Sequence, residues 1–253
     1  MLIFNDFCVI LKPMLEKSHA IVLHTLKYGD QKVVVEMFTR TWGRLSFIVT
    51  LPKSAKSPFR KQYFQPMTVL EVECDVRPRV ALQKLHDVRL LVPYTTIPLS
   101  PAKLSITLFI AEFLYYALRS EQRNEQLFDY IMDSMQWLDA APSHYANFHL
   151  TFLMRLSRFL GFYPNMETEG VCFFDLREGL FTSTVPTHQD YLAPAEARMI
   201  HLLMRMDYPT MHLFQLSQQD RGRILDVLMR YYKLHLPDFP DLRSLAVLHQ
   251  LWI

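Results

Sequence analysis

Glycine is scarce in this sequence, six residues in 253, while there are 18 Phe, 13 Met and 12 Tyr. A chain so short of flexible positions and so rich in bulky side chains is one of packed helix with aromatic and thioether groups filling its interior. No stretch reads as low complexity or as an internal repeat. Cysteine is sparser still: Cys8, Cys74 and Cys172 lie far apart with no Cys-x-x-Cys pair. That excludes a disulfide framework and the usual zinc spacing, and leaves three isolated thiols in a reducing compartment. Long apolar runs are missing too. A bilayer span needs about 20 predominantly apolar residues, and the stretch 106–118 contains Glu112 and reads as a buried helix. The opening MLIFNDFCVILKPML is apolar in flavour, but it has no basic leading segment and no small-residue cleavage site, and Asn5 and Asp6 interrupt it. The expectation is a cytoplasmic protein with no membrane attachment. Met14 has the look of a natural start, so residues 1–13 are either an upstream extension or a tail.

Catalytic signatures are lacking as well. No His-Glu-x-x-His, Gly-x-Ser-x-Gly or phosphate-loop pattern occurs, so neither ATP hydrolysis nor metal-assisted hydrolysis is expected. Asp175 and Glu178 beside Gly179 read as an exposed turn rather than a carboxylate pair. His144 and His149 are five apart, awkward for one helical face, and read as core or surface histidines. The sequence therefore predicts no enzyme, no cofactor and no metal site.

What is present is an uneven charge. Residues 1–92 carry 14 Lys and Arg against 8 Asp and Glu, a surplus of six cations, and the other 161 residues carry 13 against 17. Between Glu36 and Glu71 there is no acidic residue, while Arg40, Arg44, Lys53, Lys56, Arg60 and Lys61 supply six cations. The segment LPKSAKSPFRKQYFQP reads as a loop, with Phe59, Tyr63 and Phe64 among the charges. Cations that contact phosphates and aromatics that stack on unpaired bases make this stretch a candidate DNA-binding surface. The plainer reading is a solvated loop whose aromatics fold inward.

The first hundred residues predict five strands, at 20–27, 33–38, 44–51, 67–74 and 80–91, with no helix between them. Five such strands suggest a small closed Greek-key barrel, the OB-fold, here over residues 14–92. The proline-rich stretch 93–100 reads as a linker, after which Ser100 is placed as N-cap and Pro101 as first helical residue. Helices are predicted at 101–119, 124–140, 144–160, 195–206 and 220–236, with Gly161 as a C-cap and Ser217 opening a capping-box-like Ser-x-x-Asp. The fold class is thus α+β multidomain: the barrel, then an all-α domain over 101–253 with an irregular insertion at 162–192 that includes a short hairpin around Glu178-Gly179.

Several stretches, in collinear order, resemble the RecO family of recombination mediators. AIVLHTLKYGDQKVVVEMFTRTWGRLSFIV is similar to that family's opening strands, and KSAKSPFRKQYFQPMTVLEVE to its basic loop and following strand. FLMRLSRFLGFYPN resembles its helix ending in Leu-Gly-aromatic, and RSLAVLHQL its C-terminal segment. The resemblance spans nearly the whole chain from Ala20. It implies a DNA repair and recombination protein in the cytoplasm, associated with the nucleoid. Its implied activities are to bind single- and double-stranded DNA, to anneal strands, and to help load recombinase onto single-stranded DNA coated with protein. RecR and the C-terminal tail of single-stranded-DNA-binding protein are the implied partners. One departure stands out. Many members carry a four-cysteine zinc module after the Leu-Gly-aromatic helix, whereas only Cys172 stands there, with His188 the one nearby extra candidate. Phe173, Phe174, Leu176 and Phe181 are expected to pack where a metal would otherwise hold the loop.

Arg155 and Arg158, three apart and beside Phe152 and Phe159, are candidates for the acidic, apolar-ended partner tail, because residues at this spacing share a helix face. The plainer role is to offset that domain's acidic surplus. A second functional class, a helical adaptor whose barrel binds protein rather than DNA, stays open on the sequence. A nuclease or ligase would need clustered metal-binding carboxylates, which are lacking.

Overall fold

The computed structural model describes residues 15–51, 59–77, 79–165 and 172–250, and the chain divides into two compact units at Val92/Pro93. The first unit is a closed barrel of five strands, β1 (Glu16–Lys27), β2 (Lys32–Thr39), β3 (Gly43–Thr50), β4 (Val69–Cys74) and β5 (Leu82–Val92), in the order β1-β2-β3-β5-β4. All pairs are antiparallel except β3 with β5. Period-two alternation builds it: Val33, Val35 and Met37 of β2 and Phe47 and Val49 of β3 face inward, and Lys32, Val34, Glu36, Ser46 and Ile48 face outward. Full burial of a side chain such as Phe47 contributes roughly 1.5–3 kcal/mol, and a dozen such residues close the core. This is the expected OB-fold arrangement. The strand predicted from residue 67 begins instead at Val69, because Met67 has a left-handed φ of 63° that no strand residue holds. Likewise the last strand begins at Leu82 rather than 80.

The second unit holds six helices among the described residues: α1 (Pro101–Ala117), α2 (Glu125–Ala140), α3 (Phe148–Phe159), α4 (Pro194–Arg205), α5 (Gln218–His235) and α6 (Arg243–Gln250). Their starts follow local chemistry. The Ser100 side chain accepts from the Lys103 N–H with Pro101 next in line, Asn124 accepts from Leu127 N–H, and Ser217 and Asp220 form a full capping box. Helix α3 ends in a Schellman motif. Gly161, at φ 85°, lets the Phe162 N–H reach Ser157 O at 3.0 Å. The predicted start of this helix at 144 is corrected to Phe148, since His144 is itself left-handed at φ 65°. Helix α6 had no counterpart among the sequence-predicted elements. It begins where the Glu112 carboxylate of α1 accepts from the Arg243 and Ser244 backbone N–H groups, at 3.1 and 2.8 Å. The charge that interrupts the apolar run of α1 is thereby an anion at a helix N-terminus.

The segment following Val92 is tied down within this unit. Asp139, near the C-terminal end of α2, accepts from the Thr95, Thr96 and Ile97 backbone N–H groups at 2.8 Å each and from the Thr95 hydroxyl at 3.0 Å. Beside it the buried Lys103 ammonium donates to Thr96 Oγ1 at 2.6 Å, Asp139 O at 2.9 Å and Ala141 O at 2.6 Å. Burial works against ionisation of Asp139, but the hydrogen bonds from Thr95, Ile97 and Thr96 outweigh it and hold the carboxyl below its ordinary range. The ammonium of Lys103 is pulled below its usual value by burial, which the Asp139 charge opposes.

Between α3 and α4 the described part of the insertion is more regular than its sequence suggests. Strands β6 (Phe173–Asp175), β7 (Leu180–Thr182) and β8 (Tyr191–Leu192) form an antiparallel sheet in the order β7-β6-β8. Phe174, Leu176 and Phe181 are buried, whereas Phe173 is half-buried and meets Tyr191 edge-on. Gly179 turns the hairpin at φ 68°, and a Cβ there would lie 2.5 Å from the Tyr231 hydroxyl. Among the described residues no group of three His, Cys, Asp or Glu side chains is placed to hold a metal. Cys172 is buried, and His188 Nε2 lies 3.1 Å from Asp175 Oδ2.

Candidate nucleic-acid interface

Among the described residues, the cations of the basic stretch differ in how far they are available. Lys53 and Lys56 lie outside the described residues. Arg44 is largely covered, and its Nε donates to Glu36 Oε2 at 3.2 Å while Ser46 Oγ donates to Glu36 Oε1 at 2.7 Å. A charge so compensated has little left for a phosphate. Arg40 is half-buried just beyond β2, and its N–H donates to His19 O. Arg60 and Lys61 are exposed at the start of a 3-10 turn, Lys61–Phe64, with the Arg60 guanidinium 5.9 Å from the Tyr63 ring centre. Phe64 is buried under the barrel core, and Phe59 and Tyr63 pack against it, as the inward reading of the loop aromatics expects.

The fold adds cations that lie outside that stretch. A cleft of about 710 Å³ at one end of the barrel is lined by Lys27 and Lys32 from the β1–β2 hairpin, by Lys61, and by His24 and Asp30. The Thr25 hydroxyl donates to Phe64 O at 2.7 Å and ties β1 to the turn that carries Lys61. In sequence Lys27 and Lys32 are merely the ends of two strands. Only the closure of the barrel brings them beside a residue more than 25 positions away. A Tyr-Gly-Asp turn flanked by lysines was the signal available.

Cys74 is not poised as a nucleophile. Burial first, then the nearby Glu16 and Asp75, push the Cys74 thiol up to about 12. In the second unit, burial, with Arg221 and His249 adding to it, lowers His149 to about 3, so it is a neutral core imidazole at physiological pH.

The helical-domain candidates separate on inspection. Phe152 is fully buried, stacked on Tyr130 at 5.4 Å, and is not available to a ligand, which corrects its place in the sequence-derived set. Its face of α3 is turned onto α2, because Tyr130 of α2 both stacks on it and donates to its carbonyl at 2.8 Å. Phe159 is half-buried on the other side of Tyr130 at 4.8 Å. Arg155 pairs with Asp207 at 3.1 Å and lies 5.9 Å from the Tyr208 ring centre. Arg158 is exposed, 4.1 Å from the ring centre of Tyr163.

Two family models between them match most of the chain, one over the barrel and one over the helical unit. The model described as Recombination protein O N terminal matches residues 14–94, and that described as Recombination protein O C terminal matches residues 98–246. The chain belongs to the RecO family. Among similar proteins, the DNA repair protein RecO of Phocaeicola vulgatus is 49% identical over 241 residues, covering 94% of this chain and 100% of that one. That of Bacteroides fragilis is 48% identical over the same span and coverage. The more distant RecO protein of Flavobacterium psychrophilum is 32% identical over 238 residues, 93% of this chain and 98% of its own. Among the described residues no helix is long and apolar enough to cross a membrane.

Proposed function

We propose that this RecO-family chain serves recombinational DNA repair as a non-enzymatic mediator, binding DNA through the barrel and recruiting partner proteins through the helical domain. The observation that carries the DNA reading is the convergence of Lys27, Lys32 and Lys61 on one cleft at the barrel end, next to a sequence stretch with no acidic residue. Three ammonium groups against the single carboxylate of Asp30 leave the groove net cationic, as a surface that follows a phosphate backbone requires. Family membership extends the reading to both single- and double-stranded DNA, to strand annealing and to recombinase loading on protein-coated single strands. It also extends it to RecR as partner and to action at the nucleoid. The testing experiment is an anisotropy titration of labelled single-stranded DNA at several salt concentrations. Log Kobs falls linearly with log salt, at a slope of about −0.7 for each phosphate contacted. Absence of DNA binding even at low salt would instead favour the barrel as a protein adaptor.

The helical domain is proposed to take the acidic, apolar-ended tail of single-stranded-DNA-binding protein at Arg155, Arg158 and Phe159. Their support is a cationic edge beside half-buried aromatic surface on α3. Changing both Arg155 and Arg158 to Ala is expected to weaken a labelled tail peptide by about tenfold or more, since a charge-assisted contact is worth roughly 1.5–3 kcal/mol. Arg158→Ala carries most of the loss, because Arg155 is already engaged by Asp207. Unchanged peptide affinity in the double variant would move the tail site elsewhere.

A further inference from the structure

The lysines of the barrel-end cleft differ from other cations of the barrel. Lys17, Arg44, Arg77 and Arg89 each lie against a carboxylate, at 3.9, 3.2, 2.9 and 3.2 Å. Among the described residues no ion pair involves Lys27, Lys32 or Lys61, although all three line one cavity of about 710 Å³. The walls that carry them are fixed by hydrogen bonds. The Tyr28 N–H donates to Lys32 O at 2.8 Å and closes the β1–β2 turn, and the Leu51 N–H donates to Gln31 O at 2.7 Å, which ties that turn to the end of β3. The opposite wall, from Lys61 to Pro66, is held to β1 by the Thr25 hydroxyl. The buried side chains of Val33 and Phe64 supply apolar lining.

Three ammonium groups against the one carboxylate of Asp30 give this cavity a net of two positive charges, before any contribution from His24. A phosphate inside a strand is a diester and brings a single negative charge. A phosphate at a strand end is a monoester: it brings about −1.5 to −2 charges at pH 7 and three acceptor oxygens. Cations spread along a groove each meet a different internal phosphate, one charge at a time. Cations gathered around one cavity, with Gln31 and Gln65 also in its lining, are matched by a single group of higher charge. Val33 and Phe64 suit the carbon atoms of the deoxyribose that carries such a group.

We infer that the barrel-end cleft takes the phosphomonoester at the end of a DNA strand, and so prefers phosphorylated ends to hydroxyl ends. This rests on the reading that the barrel binds DNA. The test uses the full chain and oligothymidylate of about eight nucleotides, a length within one OB-fold site, labelled at an internal base. The oligomer carries a 5′-phosphate, a 3′-phosphate or hydroxyls at both ends. One of the two phosphorylated forms is expected to bind about tenfold more tightly than the hydroxyl-ended form, the worth of an added charge-assisted contact. Which form does so identifies the end, and because the two carry the same charge, an equal gain from both is a bulk charge effect that overturns the inference. Capping the preferred phosphate as its methyl ester removes one charge and most of the gain. Changing Lys27, Lys32 and Lys61 together to Ala brings the ratio of phosphate-ended to hydroxyl-ended affinity near one. Asp30→Asn raises that ratio, because a dianion gains more than a monoanion from the loss of a carboxylate, and an unfolded variant could not show such a gain. Equal affinity for phosphate and hydroxyl ends, a ratio that persists in the triple lysine variant, or a methyl ester that binds as tightly as the monoester overturns the inference and leaves barrel DNA binding standing. Displacement of the phosphorylated oligomer by an equal concentration of thymidine monophosphate would assign the cleft to mononucleotides instead. Failure of the wild-type chain to bind any of these oligomers at low salt overturns the DNA reading itself, and this inference with it.

Discussion

Replacing Lys53, Lys56, Arg60 and Lys61 together by alanine is expected to flatten the log–log salt dependence of single-strand binding by nearly three units, at roughly 0.7 for each phosphate no longer neutralised. Two of these side chains, Arg60 and Lys61, are exposed, and Lys61 lines the barrel cleft. Arg60 and Lys61 are not part of the barrel core, so the thermal midpoint should move little. Binding is weakened rather than abolished, because Lys27 and Lys32 stay on the other wall of the cleft. Adding Lys27→Ala and Lys32→Ala should remove most of what remains. The tail peptide supplies the control: its affinity for the helical domain is unchanged in the loop variant if that site lies at Arg155 and Arg158. A loop variant with wild-type affinity and slope would exclude this loop from the DNA site.

The second large effect is on stability. Asp139→Ala removes the acceptor for three backbone N–H groups of residues 95–97 and leaves the buried Lys103 ammonium without a compensating charge. Stranding a buried cation and several donors costs about 2–4 kcal/mol, read as a fall in the urea midpoint of the helical-domain transition. Asp139→Asn keeps an acceptor of the same shape and should lose less. The pH dependence has a defined sign. The native carboxyl titrates below its unfolded value, so the native state binds fewer protons in the interval between the two. Its stabilisation is complete above the unfolded carboxylate range and is lost as pH falls through the lower, native value. The wild-type chain therefore shows an acid-side loss that Asp139→Ala lacks. Equal acid sensitivity in the two proteins would show that other carboxylates dominate.

Much of the architecture is legible in the sequence, wherever local chemistry decides it. Alternation of apolar and polar residues set the five strands, and Ser100-Pro101, Asn124 and the Ser217–Asp220 box set three helix starts. Gly161 marked the end of α3. These signals lie within a few residues of the element they control. Left-handed residues such as Met67 and His144 escaped notice, because a non-glycine side chain gives no warning of a positive φ. The charge asymmetry pointed to the barrel as the nucleic-acid unit, yet chain order could not say which cations stay available. Arg44 faces Glu36 because β2 and β3 pair in a register that sets Glu36 opposite Ser46 and Arg44 opposite Phe38, and that pairing compensates its charge. Phe152 looked like part of a binding edge until the packing of α3 on α2 buried it beneath Tyr130. The cleft shared by Lys27, Lys32 and Lys61 and the Asp139 clasp on residues 95–97 exist only in the folded chain. Each joins residues from separate elements, and barrel closure, strand register and helix packing fix those distances through contacts that chain order does not contain.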